Sequence, residues 1–362
     1  MKANLSLGSI AGIKINVHWT FFLLIVWIVF DQMKRGGNTA SILYNIAFIL
    51  TVFVCVILHE LGHALMAKRF KIKTKKITLL PIGGIASLER IPESPKQEFL
   101  VAIAGPLVNV CIAALLFFTI PIHDILNQNF NDSYVFFSRF TLQNFLFYLF
   151  LVNVGLVLFN MIPAFPMDGG RVLRSALAMK MNRVKATQIA ASTGQFFAVL
   201  FLIFGLLYNP ILIFIALFIF LGAYGENQIV NHLAILNGHK VQEAMMTNIT
   251  TFNPNDTINK VLKTIISGTE NNFIVLKGAV IIGVLYHKDI IENSHKEDCL
   301  VKDMMTTKFT LLKAKDDLKK VYELIYSKSN TFFPVVKQDE LIGVIDAINL
   351  NEYLLIQAKL TH

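Results

Sequence analysis

Val56-Ile57-Leu58-His59-Glu60-Leu61-Gly62-His63-Ala64-Leu65-Met66-Ala67-Lys68-Arg69-Phe70 is an apolar run carrying three ionisable side chains in little more than one helical turn. The pattern is H-E-x-x-H. On a helix, positions four apart share a face, so His59 and His63 present two imidazoles to one zinc ion. Glu60, beside the first of them, is placed to take a proton from metal-bound water. Ionisable groups are expensive in hydrocarbon, and their presence there points to a functional site. The plain alternative is a pair of histidines snorkelling near a helix end or hydrogen-bonded inside a bundle. It accounts for the cost of three such groups less well. Gly62 leaves room for an approach between the two histidines, although small residues also aid helix packing.

Working outward, the chain has 362 residues, of which 54% are hydrophobic and 16% charged. The charged share lies well below the roughly 25% of ordinary soluble domains. Mean hydropathy is +0.57. The long apolar runs lie before residue 226 and the charged remainder after it, which implies a membrane part followed by a soluble part. The net charge of +9 sits largely beside apolar spans, so a bilayer surface explains it better than nucleic acid does. Cys55, Cys111 and Cys299 show no paired spacing, which excludes a disulfide framework and a thiolate metal site. The run from about Val17 to Phe30 starts late and meets Asp31-Gln32-Met33-Lys34 without a small-residue cleavage site, so it does not have the form of a cleavable signal.

Six spans are expected, at about 18–30, 42–66, 98–120, 145–161, 190–207 and 211–223, with Asn209-Pro210 as the turn between the last two. Pro106 falls inside the third and is expected to kink it. Residues 1–16 read as a short strand or turn at the membrane surface. The stretch Ile77 to Leu88 reads as two short strand-like runs around Gly83-Gly84 as the turn of a hairpin. That hairpin is either a plain surface loop or an exposed strand edge able to pair with an extended peptide. Basic residues cluster at Lys68 to Lys76 and at Arg171, Arg174, Lys180, Arg183 and Lys185. The positive-inside rule then puts both termini in the cytoplasm, with the H-E-x-x-H toward that side.

Two histidines need a third protein ligand. The candidate lies in Asn160-Met161-Ile162-Pro163-Ala164-Phe165-Pro166-Met167-Asp168-Gly169-Gly170-Arg171. Two prolines make this irregular backbone at membrane depth, tolerated only where it is buried or lines a cavity. Asp168 is expected at the depth of the histidines. Its alternative role is to cap the helix that begins near Arg171.

These paired motifs resemble the site-2 protease family of intramembrane zinc metalloproteases, over residues 1–225 and including Gly105-Pro106-Leu107-Val108-Asn109. The resemblance implies one zinc ion per chain held by His59, His63 and Asp168, with Glu60 as general base. It further implies that Asn160 and Asn109 help to hold substrate or the oxyanion, and that the Gly83-Gly84 hairpin presents substrate. The substrate would be a transmembrane protein in the lipid bilayer, and the location the plasma (inner) membrane of a prokaryote.

After a connecting segment at 226–240, residues 241–300 and 301–362 repeat with a period near 60. Val241-Gln242-Glu243-Ala244-Met245-Met246-Thr247 recurs as Val301-Lys302-Asp303-Met304-Met305-Thr306, and Ile282-Gly283-Val284-Leu285 as Ile342-Gly343-Val344-Ile345. This resembles a tandem pair of CBS domains, a soluble α/β module that often binds adenine nucleotides and regulates what it is attached to. The nucleotide signature keeps only Asp289 in the first repeat and neither of its residues in the second. A structural or homodimerising pair and a nucleotide sensor therefore both stand. The fold class is a polytopic α-helical membrane domain with a β-hairpin, joined to this module. The competing reading is a CBS-regulated transporter or metal pathway, whose flux would survive Glu60→Gln. An inactive scaffold would have no need of the intact ligand set.

Overall fold

A computed structural model describes residues 4–81, 83–88, 92, 94–120, 141–295, 299–327 and 331–360. Contacts divide the chain into two compact units, Met1–Gln228 and Ile229–His362.

The first unit begins with a hairpin, β1 (Asn4–Ile10) and β2 (Ile13–His18), closed at Ala11-Gly12 with both turn residues at positive φ. Helices α1 (Thr20–Lys34) and α2 (Thr39–Arg69) lead to β3 (Thr74–Leu80) and β4 (Gly83–Leu88). The four strands form one sheet in the order β1-β2-β3-β4, with β2 and β3 parallel and the outer pairs antiparallel. Alternation along the inner strands puts Ile13, Val17, Ile77 and Leu79 on one face, where they pack with Phe21, Phe53, Leu61 and Ala64 of the two helices. The sheet is thereby fixed onto the turns of α2 that carry His59 and Glu60. The expected surface strand near the N-terminus is present as a whole hairpin.

One expectation needs correction. Gly83 and Gly84 are not the turn of the second hairpin. They open β4 and pair with Leu80 and Leu79, and the chain reverses at Pro81. Glycine signals a turn and a close backbone approach equally. Here the close approach decides, because a Cβ at position 84 would stand 2.8 Å from Cγ of Glu60.

Helices α3 (Pro95–Thr119), α4 (Leu142–Asn160), α5 (Asp168–Ala178) and α6 (Arg183–Leu207) follow, and α7 (Ile211–Ile235) contributes its residues up to Gln228 to this unit. Among the described residues five helices, α2, α3, α4, α6 and α7, are long and apolar enough to cross a membrane. At 15 residues, α1 spans about 22 Å against the roughly 30 Å of a hydrocarbon core. Its apolar surface matches the expected first span, and its length falls short of one. α3 continues through Pro106 as one helix. α7 extends to Ile235, so much of the expected connecting segment at 226–240 is helical. No glycine or proline interrupts it between Gly225 and Gly238.

A set of buried charges ties the helices together. Arg174, with no solvent exposure, bonds Glu98 of α3 (Nε to Oε1, 2.9 Å) and Glu226 of α7, while Arg183 of α6 pairs with Glu98 at 3.2 Å. The Arg174 guanidinium lies 4.9 Å from the centre of the Phe165 ring. Counted by sequence among the basic residues that follow the fourth span, Arg174 is interior. Desolvation is compensated by two carboxylates and an aromatic face.

In the second unit, β5 (Thr251–Phe252), β6 (Phe273–Lys277) and β7 (Val280–Leu285) form one three-stranded sheet; β8 (Leu312–Lys313), β9 (Phe332–Lys337) and β10 (Glu340–Asp346) form another. Each has one parallel and one antiparallel pairing in the same sequence order. Helices α8 (Ile258–Ser267), α9 (His287–Asn293) and α10 (Val301–Met304) accompany the first sheet; α11 (Leu318–Ser327) and α12 (Ala347–Leu360) accompany the second. The halves exchange their leading segments. Val241 packs in the core of the second sheet and Met246 bonds Val344; Val301 and Met304 pack in the core of the first and Thr306 bonds Val284. Ile274, Val284, Phe332 and Val344 join the two sheets in a shared apolar cluster.

Candidate metal centre

His59 and His63 lie on successive turns of α2, at 6% and 7% exposure, with their rings edge to face at 4.8 Å. α3 can approach them closely because of two glycines. A Cβ at Gly62 would stand 2.7 Å from the carbonyl oxygen of Ala104, and a Cβ at Gly105 would enter the His63 imidazole. Asp168 arrives from the far side as the first residue of α5. The segment before it folds on itself through Ala164 N–H to the Ile162 carbonyl and Met167 N–H to the Ala164 carbonyl. Gly169 and Gly170 lie against the Met161–Phe165 backbone too closely for any side chain. The N-cap position belongs to Met167, and no side chain caps this helix. Asp168 is therefore not the cap of α5. Its Oδ2 stands 3.1 Å from Nε2 of His59 and 3.1 Å from Nε2 of His63, and the two Nε2 atoms are 3.1 Å apart.

The outer nitrogens decide what this triangle is. Nδ1 of His63 faces the Val101 carbonyl at 2.7 Å, and Nδ1 of His59 faces Oδ1 of Asn109 at 2.5 Å. Both partners only accept, so both Nδ1 atoms carry the proton. In neutral rings Nε2 is then a bare lone pair. Two lone pairs and a carboxylate oxygen meeting at one point repel unless they share a cation. A tetrahedral zinc site with bonds of about 2.0–2.1 Å has donor–donor edges of about 3.3 Å. The observed triangle fits that size, and two imidazoles with one carboxylate are a zinc donor set. Among the described residues this is the one group of three or more such side chains able to hold a metal.

Glu60 is half-buried beside the triangle, and no protein hydrogen bond to its carboxylate occurs among the described residues. Gly84 passes over it and Gly83, at φ +138°, opens the strand. Asn160 ends α4 half-buried, and no hydrogen bond joins it to the three donors. Asn109 is fully buried, its oxygen taken by His59 and its nitrogen donating to Oδ1 of Asn153 at 2.8 Å. It stands behind His59 as a support, with both ends of its amide engaged. The sequence reading did not single out Asn153, Glu98 or Glu226.

Paired imidazoles, a carboxylate and a neighbouring glutamate, set among membrane-length helices, have the donor set and the spare carboxylate that metal-dependent hydrolysis uses. The chain belongs to peptidase family M50, whose profile matches residues 47–202, and the CBS domain profile matches residues 241–296 and 301–356. The zinc metalloprotease MJ0392 of Methanocaldococcus jannaschii is 34% identical over 351 residues, covering 97% of this chain and 96% of that protein. Stage IV sporulation protein FB of Bacillus subtilis is 28% identical over 189 residues, covering 52% and 56% respectively. The solved structure of a site-2 protease from Methanocaldococcus jannaschii is 38% identical, covering 62% of this chain and 95% of that one, with a TM-score of 0.44. This chain is accordingly a zinc metalloendopeptidase of the membrane with a CBS pair.

Proposed function

We propose that this chain hydrolyses a peptide bond in or beside a transmembrane segment of a membrane-protein substrate. In this reading His59, His63 and Asp168 hold one zinc ion and Glu60 is the general base. The carrying observation is the triangle of three donors at 3.1 Å with both outer nitrogens already occupied. Zinc bound there supplies Lewis acidity, lowering the pKa of water toward ~7 and polarising a carbonyl. The Glu60 carboxylate, which has no protein hydrogen bond among the described residues, accepts the water's proton and returns it to the departing amine. Asn160, at the open end of α4, is assigned to the substrate or the developing oxyanion.

A transmembrane helix hides its carbonyls in its own hydrogen bonds, so substrate must unwind locally before attack. β4 pairs only with β3 among the described strands. Its other edge, opened by Gly83 and with Gly84 beside Glu60, can take an extended segment and replace the bonds lost in unwinding. The domain assignment is residues 1–225 for proteolysis, 226–240 as connection, and 241–300 with 301–362 as the CBS pair. That pair is assigned a regulatory role, as a homodimerising element or a nucleotide sensor. At the retained position, Asp289 Oδ2 accepts a bond from Thr306 Oγ1 at 3.2 Å, with which adenine nucleotide would compete. Cytoplasmic termini are assigned from the basic segments, and a prokaryotic plasma membrane from the family resemblance.

The test uses purified protein in liposomes with a panel of tagged transmembrane substrates. Chelation is expected to abolish cleavage, and one zinc per chain to restore it, with product termini mapping to a transmembrane segment. Cleavage that persists in zinc-free protein would overturn the reading. A second expectation concerns packing. Gly105→Ala drives a methyl group into the His63 ring, 2.5 Å from Cε1, with helix backbone on both sides. Zinc affinity should fall at least about tenfold, the low end for disturbed ligand support. Chelator competition measures it.

A further inference from the structure

Two buried amides lie behind the metal centre on two other helices, and zinc ligation by itself does not require them. Asn153 of α4 and Asn109 of α3 are both at 0% exposure. An amide so far from water is costly unless its bonds are satisfied. The nitrogen of Asn153 donates to the Leu149 carbonyl at 2.8 Å and also faces Cys55 Sγ at 3.6 Å. A carbonyl only accepts, so this bond fixes which end of the Asn153 amide is nitrogen. Its oxygen is therefore turned to Asn109, which must donate its nitrogen at 2.8 Å. The oxygen of Asn109 is then the atom facing Nδ1 of His59. Each link has one sense, set at the Leu149 backbone.

We propose that Asn153 and Asn109 are positioning residues that lock His59 in its Nδ1–H tautomer, so that Nε2 is kept as a lone pair aimed at Asp168 and His63. The inference rests on the reading of His59 as a zinc ligand. His63 differs in being held by a backbone carbonyl, that of Val101, which no side-chain substitution removes. His59 depends on two side chains from two other helices. Were Asn109 reversed, its nitrogen would face Nδ1 and the ring proton would move to Nε2, where it would block the metal. Asn153 prevents that reversal without touching the histidine.

The test has a metal-free arm and a metal arm. Full-length protein labelled with 15N-histidine is studied without metal at about pH 8.5, some two units above the ordinary histidine pKa. His59 is assigned by the signal lost in His59→Asn. The wild-type ring should show the Nδ1–H pattern, and Asn109→Leu and Asn153→Leu should each shift it toward the Nε2–H form. In chelator competition, Asn109→Leu should weaken zinc binding by about 10- to 100-fold. Asn153→Leu should fall between that and wild type. Asn109→Asp, which keeps an acceptor against Nδ1, should bind more tightly than Asn109→Leu. An unchanged His59 tautomer in both leucine variants, with affinity within about twofold of wild type against the losses expected for a support of this kind, would overturn the lock. Failure of the zinc reading has a different sign: wild-type zinc binding indifferent to His59→Asn, while the tautomer arm still reports on the two amides.

Discussion

Glu60→Gln is expected to abolish cleavage while leaving bound zinc at one ion per chain. Glutamine keeps the shape of the side chain and its place on α2 but cannot hold the proton taken from water. Glu60 is not one of the three donors that meet at 3.1 Å, so the metal has no cause to leave. Nor does a hydrogen bond anchor it: among the described residues none reaches its carboxylate, and Gly84 passes over it by its backbone. A positioned general base is worth about 10²- to 10⁴-fold in rate, and the same group serves here in both proton transfers. Rates on a tagged transmembrane substrate in liposomes, read beside metal analysis of the same preparation, check both halves. A variant retaining more than ~10% of the wild-type rate would fall outside the range for a general base and remove Glu60 from that role.

The parts of the site that could be read from sequence are those whose geometry is local. Histidines four apart share a helix face whatever the rest of the chain does, so His59 and His63 could be paired before any tertiary structure was known. Asp168 is 105 positions from His63, and it became a candidate only through its prolines, its glycines and a family likeness. Nothing in the sequence separated ligation from capping. In the fold Asp168 makes no capping bond and its Oδ2 lies 3.1 Å from Nε2 of both histidines, with Gly169 and Gly170 packed against the preceding loop.

What the sequence hid has a common cause. Asn153 acts through Asn109, 44 positions away, and Arg174 is neutralised by Glu98 and Glu226, 76 and 52 positions away. Such pairings depend on helix contacts that one-dimensional patterning does not encode. The basic cluster around Arg171 and Arg174 was read by charge alone, which cannot distinguish a solvated arginine from one buried between carboxylates. In the CBS pair the 60-residue period revealed the repeats but not the exchange of 241–247 and 301–306 between halves. A period says that two segments are alike and nothing about which core each one joins.

Asp168→Ala is expected to remove both zinc and activity, the opposite split from Glu60→Gln. Its Oδ2 is the point on which both imidazole nitrogens converge, and two histidines alone leave a zinc site short of the three protein ligands that catalytic sites use. The helix should survive the change. Asp168 makes no capping bond in α5, whose N-terminus is held by the loop packed beneath Gly169 and Gly170. The first-turn carboxylate is favourable to the helix dipole by only about 0.3–1 kcal/mol. Its deletion also relieves the close approach of a carboxylate oxygen to two lone pairs when no metal is bound. Metal-free protein should therefore be no less stable in the alanine variant than in wild type, whereas added zinc should raise the melting temperature of wild type only. Metal analysis, cleavage and paired melts with and without zinc read all three expectations. Zinc retained at one per chain in Asp168→Ala would require a different third ligand and would dissolve the His59–His63–Asp168 assignment.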